Sequence, residues 1–181
     1  DYDTEKSMAT AMIEDGCVII SQHSDTEGPA EACEDATKKG TTVFHVGYNQ
    51  SMVDIAPDSS LISSRQDYAP YEVGAVKAVM DGTELPVDQW AGFDEGWVAM
   101  TELNEKIAAK GTQEAMDAAI KDFKDGKLTA KEIYKGDYKG TNPFDKNDTI
   151  DLTEGFAENS TQSAPTFAYV LDDIITVLST N

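Results

Sequence analysis

The sequence predicts an α/β fold built around a parallel sheet, and two observations support this. Three short apolar runs each end in a polar loop, and clear helical patterns separate two of them. The first run, residues 17–20, is apolar almost without interruption, as expected for a strand covered on both faces. Polar residues 22–27 follow, and then Gly28 and Pro29 open a helix. This order places free backbone N–H groups beside the end of a strand, which is a common arrangement for binding ligands.

The first half of the chain alternates helices and strands. Apolar residues on one face predict a helix over residues 4–15, with Asp3 as its N-cap and Gly16 at its end. A second helix is expected over residues 29–39. Runs rich in β-branched residues predict strands over residues 17–21, 42–46 and 60–64.

The second half is less regular. Helical spacing predicts helices over residues 70–81 and 113–125, and a short polar helix over residues 101–110. A short strand is expected over residues 97–100. Residues 127–156 are rich in Lys, Asp, Gly, Thr and Asn, which indicates an exposed hairpin or loop region. Residues 166–178 fit a strand or a helix, and the spacing of their apolar residues slightly favours the helix.

The charge of the chain excludes some classes of partner. Asp and Glu number 34 against 14 Lys and Arg, so the formal net charge is −20. This charge repels phosphates and anionic membrane surfaces, and we expect neither nucleic acid nor a membrane surface as a partner. No apolar run reaches the roughly 18 residues of a membrane-spanning helix. The chain begins at Asp1, without Met, and enters a helix at once, so we expect it to be the inside of a longer protein.

Cysteine, histidine and acidic residues give little support for a disulfide, metal or cofactor. Cys17 and Cys33 fall on a strand and the next helix, a separation that favours two buried free thiols over a disulfide. The two histidines and two cysteines lack the spacing of a zinc site. The segment Asp145–Asp151 resembles the start of a calcium loop, but Ile150 stands where that motif needs glycine. A polar turn is the favoured interpretation.

Polar and aromatic residues follow each of the three predicted strands. Because the carboxyl ends of parallel strands open on one edge of a sheet, these residues should lie close together. Asp and Asn suit hydroxyls and ring nitrogens, and Tyr suits stacking on a flat base or sugar. Only one cation is present, which favours a polar small molecule over a phosphate; ordinary solvated loop residues are the alternative. The group comprises His23, Ser24, Asp25, Tyr48, Asn49, Gln50, Arg65, Gln66, Asp67 and Tyr68.

An enzyme is not expected. His23, Ser24 and Asp25 are the residue types of a hydrolase triad, but three adjacent residues cannot form the nucleophile–base–orienter chain unaided. The sequence also lacks a Gly-x-Ser-x-Gly nucleophile turn. His45 alternates within a strand, which indicates a packed or edge histidine and not a ligand.

An ordered series of short segments, with matching spacings over about residues 3–125, carries a family resemblance. These segments are residues 15–19, 22–29, 46–49, 56–57, 61–64, 67–71, 79–82 and 90–96. The series resembles the second lobe of the basic membrane protein family (BMP/Med, PnrA-like), the substrate-binding lipoproteins of ABC importers with the type I periplasmic-binding fold. The resemblance implies a Rossmann-like lobe over residues 1–181, with residues 65–100 as a hinge or interlobe segment and residues 127–181 as a C-terminal extension. A complete first lobe, and the first strand of this one, would precede Asp1.

The resemblance also implies a function. The protein would be the substrate-binding component of an ABC importer, located outside the cytoplasm as a lipid-anchored or periplasmic protein. It would bind a small polar solute, foremost a purine nucleoside or nucleobase, in a cleft between its lobes and deliver it to an ABC permease. The alternative is a ligand-sensing extracellular receptor module of the same fold.

Ligand contacts are implied at matched positions. Asn49 stands where relatives often have an Asp that bonds ribose hydroxyls, and Gln66 stands where they tend to have Lys or Trp. Tyr68 is then the candidate for a stacking plane. The ligand-binding residues expected from the resemblance are His23, Ser24, Asp25, Asn49, Gln66, Asp67, Tyr68 and Asp94.

Overall fold

The computed structural model describes residues 1–89, 91–156 and 167–174. Helices and strands alternate through the first half of the chain, and short strands dominate its end. In order, the elements are α1 (Tyr2–Glu14), β1 (Ile19–Ser21), α2 (Gly28–Lys38), β2 (Phe44–Tyr48), β3 (Ser60–Gln66), α3 (Ala69–Asp81), β4 (Val98–Met100), α4 (Thr112–Lys124), α5 (Ala130–Ile133), β5 (Lys139–Asn142), β6 (Asp145–Asp151) and β7 (Val170–Leu171).

The chain forms two compact units, and each is described by itself. The first comprises residues 1–84 and 91–118, and the second comprises residues 85–90 and 119–181. The first unit holds a sheet with the strand order β1-β2-β3-β4. Strands β1, β2 and β3 run parallel, and β4 is antiparallel to β3. The predicted α/β class with a parallel sheet is therefore confirmed.

The core of the first unit lies where α1 and α2 pack over the sheet. Helices α1 and α2 approach closely at Gly28, since a Cβ there would lie 2.8 Å from the carbonyl oxygen of Tyr2. The Lys6 ammonium of α1 lies 2.8 Å from Glu31 and 3.1 Å from Asp35 of α2. The buried residues of this cluster are Ala9, Ile13, Ile20, Ala32, Cys33 and Val43.

Strand β1 is less covered than its sequence predicts. Ile20 is 5% exposed and belongs to the core, whereas Val18 and Ile19 are about 60% exposed, at 61% and 59%. Strand β1 stands at the end of the strand order, paired with β2 on one side. Because successive side chains of a strand point to opposite faces, packing by α1 and α2 covers Ile20 and leaves Ile19 open. The prediction that both faces are covered is wrong.

Two predictions about helices are also wrong in detail. Helix α1 is capped by Asp1, whose carboxylate accepts a hydrogen bond of 3.1 Å from the Thr4 N–H, and not by Asp3. Residues 101–110 form turns and not a polar helix. Asn104 is 8% exposed there, and its side-chain amide donates to two carbonyls of residues 57 and 60, which holds the segment against β3.

Helix α3 forms where the sequence predicts it, but its apolar stripe is open to solvent. It ends at Gly82, which has a φ of 68° that suits glycine. Val79 and Met80 are 72% and 80% exposed, and Val73 and Val76 are more than half exposed.

The second unit contains the hairpin that the sequence allows within residues 127–156. Strand β5 pairs antiparallel with β6 on one side and with β7 on the other. The preference for a helix over residues 166–178 is wrong where it can be checked, because Val170–Leu171 is a strand; residues 166 and 175–178 lie outside the described residues. Asp145–Asp151 is strand β6, which replaces the predicted polar turn. Ring pairs 5.1–6.2 Å apart join Tyr134, Phe156, Phe167 and Tyr169.

Both cysteines are free thiols, as expected, but only Cys33 is buried and Cys17 is exposed. In the described part of the chain, no helix combines the length and apolar character needed to cross a bilayer.

Candidate functional site

A pocket of about 460 Å³ lies at the carboxyl ends of β2 and β3, beside the loop that follows β1. This is the edge at which the sequence predicts a ligand site. The volume falls in the range of small-molecule pockets. The lining residues are Asp25, Tyr48, Asn49, Gln50, Met52, Gln66 and Tyr68.

Asn49 is held in a left-handed conformation directly after β2. Its φ is 66°, which asparagine tolerates better than most residues. Its backbone N–H donates to the Ser64 carbonyl at 2.6 Å, and its side-chain Oδ1 accepts from the Gln66 N–H at 3.2 Å. Because Oδ1 serves the neighbouring strand, the Nδ2 amide is the end of the side chain suited to donate to a ligand.

Gln66 and Tyr68 form the wall that follows β3. The Tyr68 hydroxyl donates to Gln66 Oε1, and the Tyr68 side chain is 59% exposed. A half-exposed phenol ring tied at its hydroxyl offers a flat apolar face to a ligand. The Gln66 Nε2 remains as a second amide donor on this wall.

Asp67 does not line the pocket, although it lies between two residues that do. Its carboxylate accepts from the Ala69 N–H at 3.1 Å, at the start of α3, and from Arg65 Nη2 at 2.6 Å. The bond from the Ala69 N–H, followed by the one from Arg65, lowers the pKa of Asp67 below its ordinary value. The geometry assigns Asp67 to the helix start and leaves Arg65 already paired.

His23 and Ser24 lie at the other side of the loop that carries Asp25. They line a separate groove of about 370 Å³ together with Met8, Met12 and Ile20. The His23 ring also packs against Tyr48, with ring centroids 4.2 Å apart and planes tilted by 31°. His23 therefore touches a pocket-lining ring without lining the pocket itself.

Asp94 lies in the turn before β4 and is exposed. That turn approaches the start of α3, since a Cβ on Gly96 would lie 4.0 Å from the Pro70 ring. The structure thus brings together Asp25, Asn49, Gln66 and Tyr68 of the predicted site and leaves His23, Ser24, Asp67 and Asp94 outside the pocket lining.

Sequence reasoning missed Met52 in the pocket wall and the hydrogen bonds that hold His45. Met52 is 1% exposed and forms an apolar patch in the pocket wall. The available signal was the group of apolar residues that begins at Met52, directly after the polar residues 49–51. His45 is 0% exposed and, as predicted, packed; its ring nitrogens contact Gln22 Oε1 at 2.8 Å and Ser60 Oγ at 3.2 Å. Desolvation by burial lowers the pKa of His45 to about 4.

The pocket is neutral to acidic. Asp25 is its one charged lining residue, and no Lys or Arg lines it among the residues described. The same part of the chain brings no three His, Cys, Asp or Glu side chains together in a way that could hold a metal ion. The arrangement can bind a flat polar molecule through stacking and hydrogen bonds, and it offers little to a phosphate.

The chain is similar to known substrate-binding proteins of ABC transporters. A family model described as "ABC transporter substrate-binding protein PnrA-like" matches residues 1–132. A purine-binding protein of Brucella abortus is 33% identical over 122 residues, which cover 67% of this chain and 33% of that protein. A protein of Haloferax volcanii named for glucose binding in an ABC transporter is 25% identical over 108 residues, 60% of this chain and 26% of that protein. The chain thus spans a third or less of the length of these relatives.

Solved structures show the same fold at low sequence identity. An ABC transporter solute-binding protein from Aeropyrum pernix superposes with a TM-score of 0.59 at 16% identity, over 71% of this chain and 44% of the other. A transcriptional activator of the comK gene from Bacillus halodurans gives a TM-score of 0.56 at 17% identity, with 71% and 44% coverage. Because the family model covers residues 1–132 of 181, the chain belongs to the PnrA-like family of ABC transporter substrate-binding proteins, which is the family its motifs resemble.

Proposed function

We propose that this chain supplies one wall of a binding site for a purine nucleoside or nucleobase, in the solute-binding component of an ABC importer. The observation that carries the proposal is the pocket at the ends of β2 and β3, where the tyrosines Tyr48 and Tyr68 stand beside neutral amides and one carboxylate. A purine needs a flat apolar surface and a few hydrogen-bonding groups at its edge, and this pocket offers both.

The polar groups have distinct roles in such a complex. The Asp25 carboxylate accepts from an N–H or a sugar hydroxyl of the ligand. The Asn49 Nδ2 and the Gln66 Nε2 donate to ring nitrogens or to a carbonyl oxygen, since the oxygens of both side chains already accept bonds within the protein. The Tyr68 ring stacks on the base. This division favours an uncharged purine compound over a nucleotide, whose phosphates would meet Asp25.

The purine name of the Brucella abortus relative supports this ligand class. The Haloferax volcanii relative, named for glucose binding, makes a sugar the competing ligand. Glucose has no flat base, so it would use the amides and Asp25 but gain less from the Tyr68 face. Removal of the Tyr68 ring should therefore weaken purine binding more than glucose binding, which distinguishes the two ligands.

We also propose that residues 65–100 connect this lobe to another lobe. The chain leaves the sheet at Gln66 and returns beside it at Val98, and the Asp67 N–H donates to the Trp97 carbonyl at 2.8 Å. Between these adjacent crossings, α3 exposes its apolar stripe, which suits packing on a further lobe. Residues 1–181 would then form the second lobe, with residues 127–181 as its extension.

Binding would proceed by closure of the two lobes on the solute, without covalent chemistry, as in other hinged binding proteins. The loaded protein would act outside the cytoplasm and deliver the solute to an ABC permease.

The test is a ligand titration of the full-length protein. Adenosine, inosine, guanosine and glucose are added at 1 mM, and the melting temperature and calorimetric affinity are measured. A ligand at 100 times its Kd should add about 2.7 kcal/mol to stability. We expect the purine compounds to raise the melting temperature and glucose to leave it unchanged.

Two tyrosine variants locate the site. Tyr68→Leu should weaken purine binding about tenfold, because stacking of a base on an aromatic ring is worth roughly 1–3 kcal/mol. The control is Tyr138→Leu, which removes a similarly exposed ring just before β5. The proposal is wrong if glucose binds and no purine does, or if both variants bind purines as the wild type does.

A further inference from the structure

The loop between β1 and α2, residues 22–27, is held from inside by the side chain of Gln22. The Gln22 Nε2 donates to the carbonyl of Ser24 at 2.9 Å and to that of Thr26 at 2.9 Å. Its backbone N–H donates to the Val46 carbonyl at 3.2 Å, which fixes its start on the sheet. The Gln22 side chain thus holds a loop that forms no helix or strand of its own.

The other end of the Gln22 amide is fixed by a buried histidine. Because Nε2 faces two carbonyls, the amide must present Oε1 to His45 Nε2, 2.8 Å away. His45 Nε2 must then donate, so the neutral ring accepts at Nδ1 from the Ser60 hydroxyl at 3.2 Å. The result is a directional row of hydrogen bonds from β3 through β2 to the loop, with His45 0% exposed at its centre.

We propose that Gln22 is a positioning residue for the ligand pocket. Its amide, anchored on His45, sets the path of residues 22–27 and thereby the place of Asp25 in the pocket and of the His23 ring against Tyr48. Gln22 does not line this pocket and acts through the loop. The effect on ligand affinity rests on the proposed function, whereas the effect on the loop does not.

The loop has a second attachment that separates this role from general stability. The Thr26 hydroxyl donates to Glu5 of α1 and accepts a bond of 3.4 Å from the Gly28 N–H. The end of the loop is therefore held to the helices without Gln22. Loss of the Gln22 bonds should free residues 23–25 and leave the helical core in place.

The test compares two substitutions of Gln22 with one control in the full-length protein. Gln22→Glu keeps the size of the side chain but cannot donate, and its carboxylate would face the carbonyl oxygens of Ser24 and Thr26. Gln22→Met keeps the length and removes both polar groups. Gln89→Glu makes the same change of charge at an exposed position. Backbone NMR order parameters of the loop and amide hydrogen exchange of the helices are measured without ligand, and affinity is measured with inosine and adenosine.

In both Gln22 variants, we expect the order parameters of residues 23–25 to fall below about 0.6, purine affinity to fall about tenfold, and exchange in α1 and α2 to stay near the wild-type value. The control should change none of these. Unchanged loop order parameters in both Gln22 variants would overturn the inference, as would a rise in exchange throughout α1 and α2 or a freed loop with full affinity. If the wild type binds no purine, the proposed function fails, and the order parameters still decide the role of Gln22. If Gln22→Glu does not fold, Gln22→Met decides the outcome.

Discussion

Acid should destabilise the first unit through His45 before most carboxylates are protonated. The ring is 0% exposed on β2, and its two nitrogens face Gln22 and Ser60, which are both uncharged. Burial lowers the pKa of His45 to about 4, from an ordinary value of 6.5. In the unfolded chain the same ring takes up a proton near pH 6.5.

The sign and size follow from this difference. The unfolded state binds more protons than the folded state between pH 6.5 and 4, so the free energy of unfolding falls as pH falls through that window. The two values differ by about 2.5 pKa units, which corresponds to about 3 kcal/mol once pH 4 is passed and to about 2 kcal/mol at pH 5. That is a large fraction of the stability of an ordinary domain.

Denaturant unfolding of the full-length protein at pH 8, 6, 5 and 4 measures this loss. His45→Gln removes the titrating ring, and its unfolding free energy should fall less between pH 8 and pH 5, by about 2 kcal/mol relative to the wild type. The control is His23→Gln, which removes an exposed imidazole and should keep the wild-type slope. Parallel pH curves for the wild type and His45→Gln would refute the reasoning, because the buried ring would then not control the slope.

Three further perturbations test other parts of the structure. Glu34→Ala should lower the unfolding free energy by about 2–4 kcal/mol, since its 2% exposed carboxylate accepts from the Ser59 hydroxyl and a backbone N–H. Lys38→Ala removes only the exposed partner of this carboxylate and should cost far less. Asn49→Ala should lower the unfolding free energy by about 1–2 kcal/mol, because it loses the bond with the Gln66 N–H and places alanine at a strained φ of 66°. Asn49→Gly should relieve the strain without restoring the bond, so it should cost less. Raising NaCl from about 0.1 M to 1 M should raise the melting temperature, because salt screens the repulsion within a chain of net charge −20; a fall in melting temperature would contradict this.

The order of the elements in residues 1–100 could be predicted because polar residues or a glycine follow most of them. Glycines mark the ends of α1 and α3, and polar residues follow each parallel strand. What covers each element could not be predicted. The apolar run at residues 17–20 is equally compatible with a central strand and with the edge strand that β1 is. The sequence of α3 likewise predicts an apolar helix face but not what packs on that face.

The site was predictable to the level of loops but not of side chains. Strand ends located Asp25, Asn49 and Gln66 correctly at one pocket. Asp67 follows Gln66 in sequence, yet its carboxylate turns to the start of α3, because an unbonded N–H there needs an acceptor. The position of Asp67 along the chain does not show whether its carboxylate faces a ligand or accepts from the start of the helix. Gln22 was visible only as one more polar residue of the loop.

Asn49 and Gln66 are joined by a hydrogen bond in this chain. The Gln66 N–H donates to Asn49 Oδ1, and Gln66 Oε1 accepts from the Tyr68 hydroxyl. Each side chain therefore uses its oxygen within the protein and keeps its NH₂ group for the pocket. An Asp at position 49 could accept the same backbone bond but would present a second acceptor beside Asp25 in place of a donor. The pair therefore offers amide protons to the pocket, so we expect the preferred solute to carry acceptors at its edge. The Asn49 amide is oriented by the Gln66 N–H and the Gln66 amide by the Tyr68 hydroxyl, so each NH₂ group is directed by a hydrogen bond within the protein.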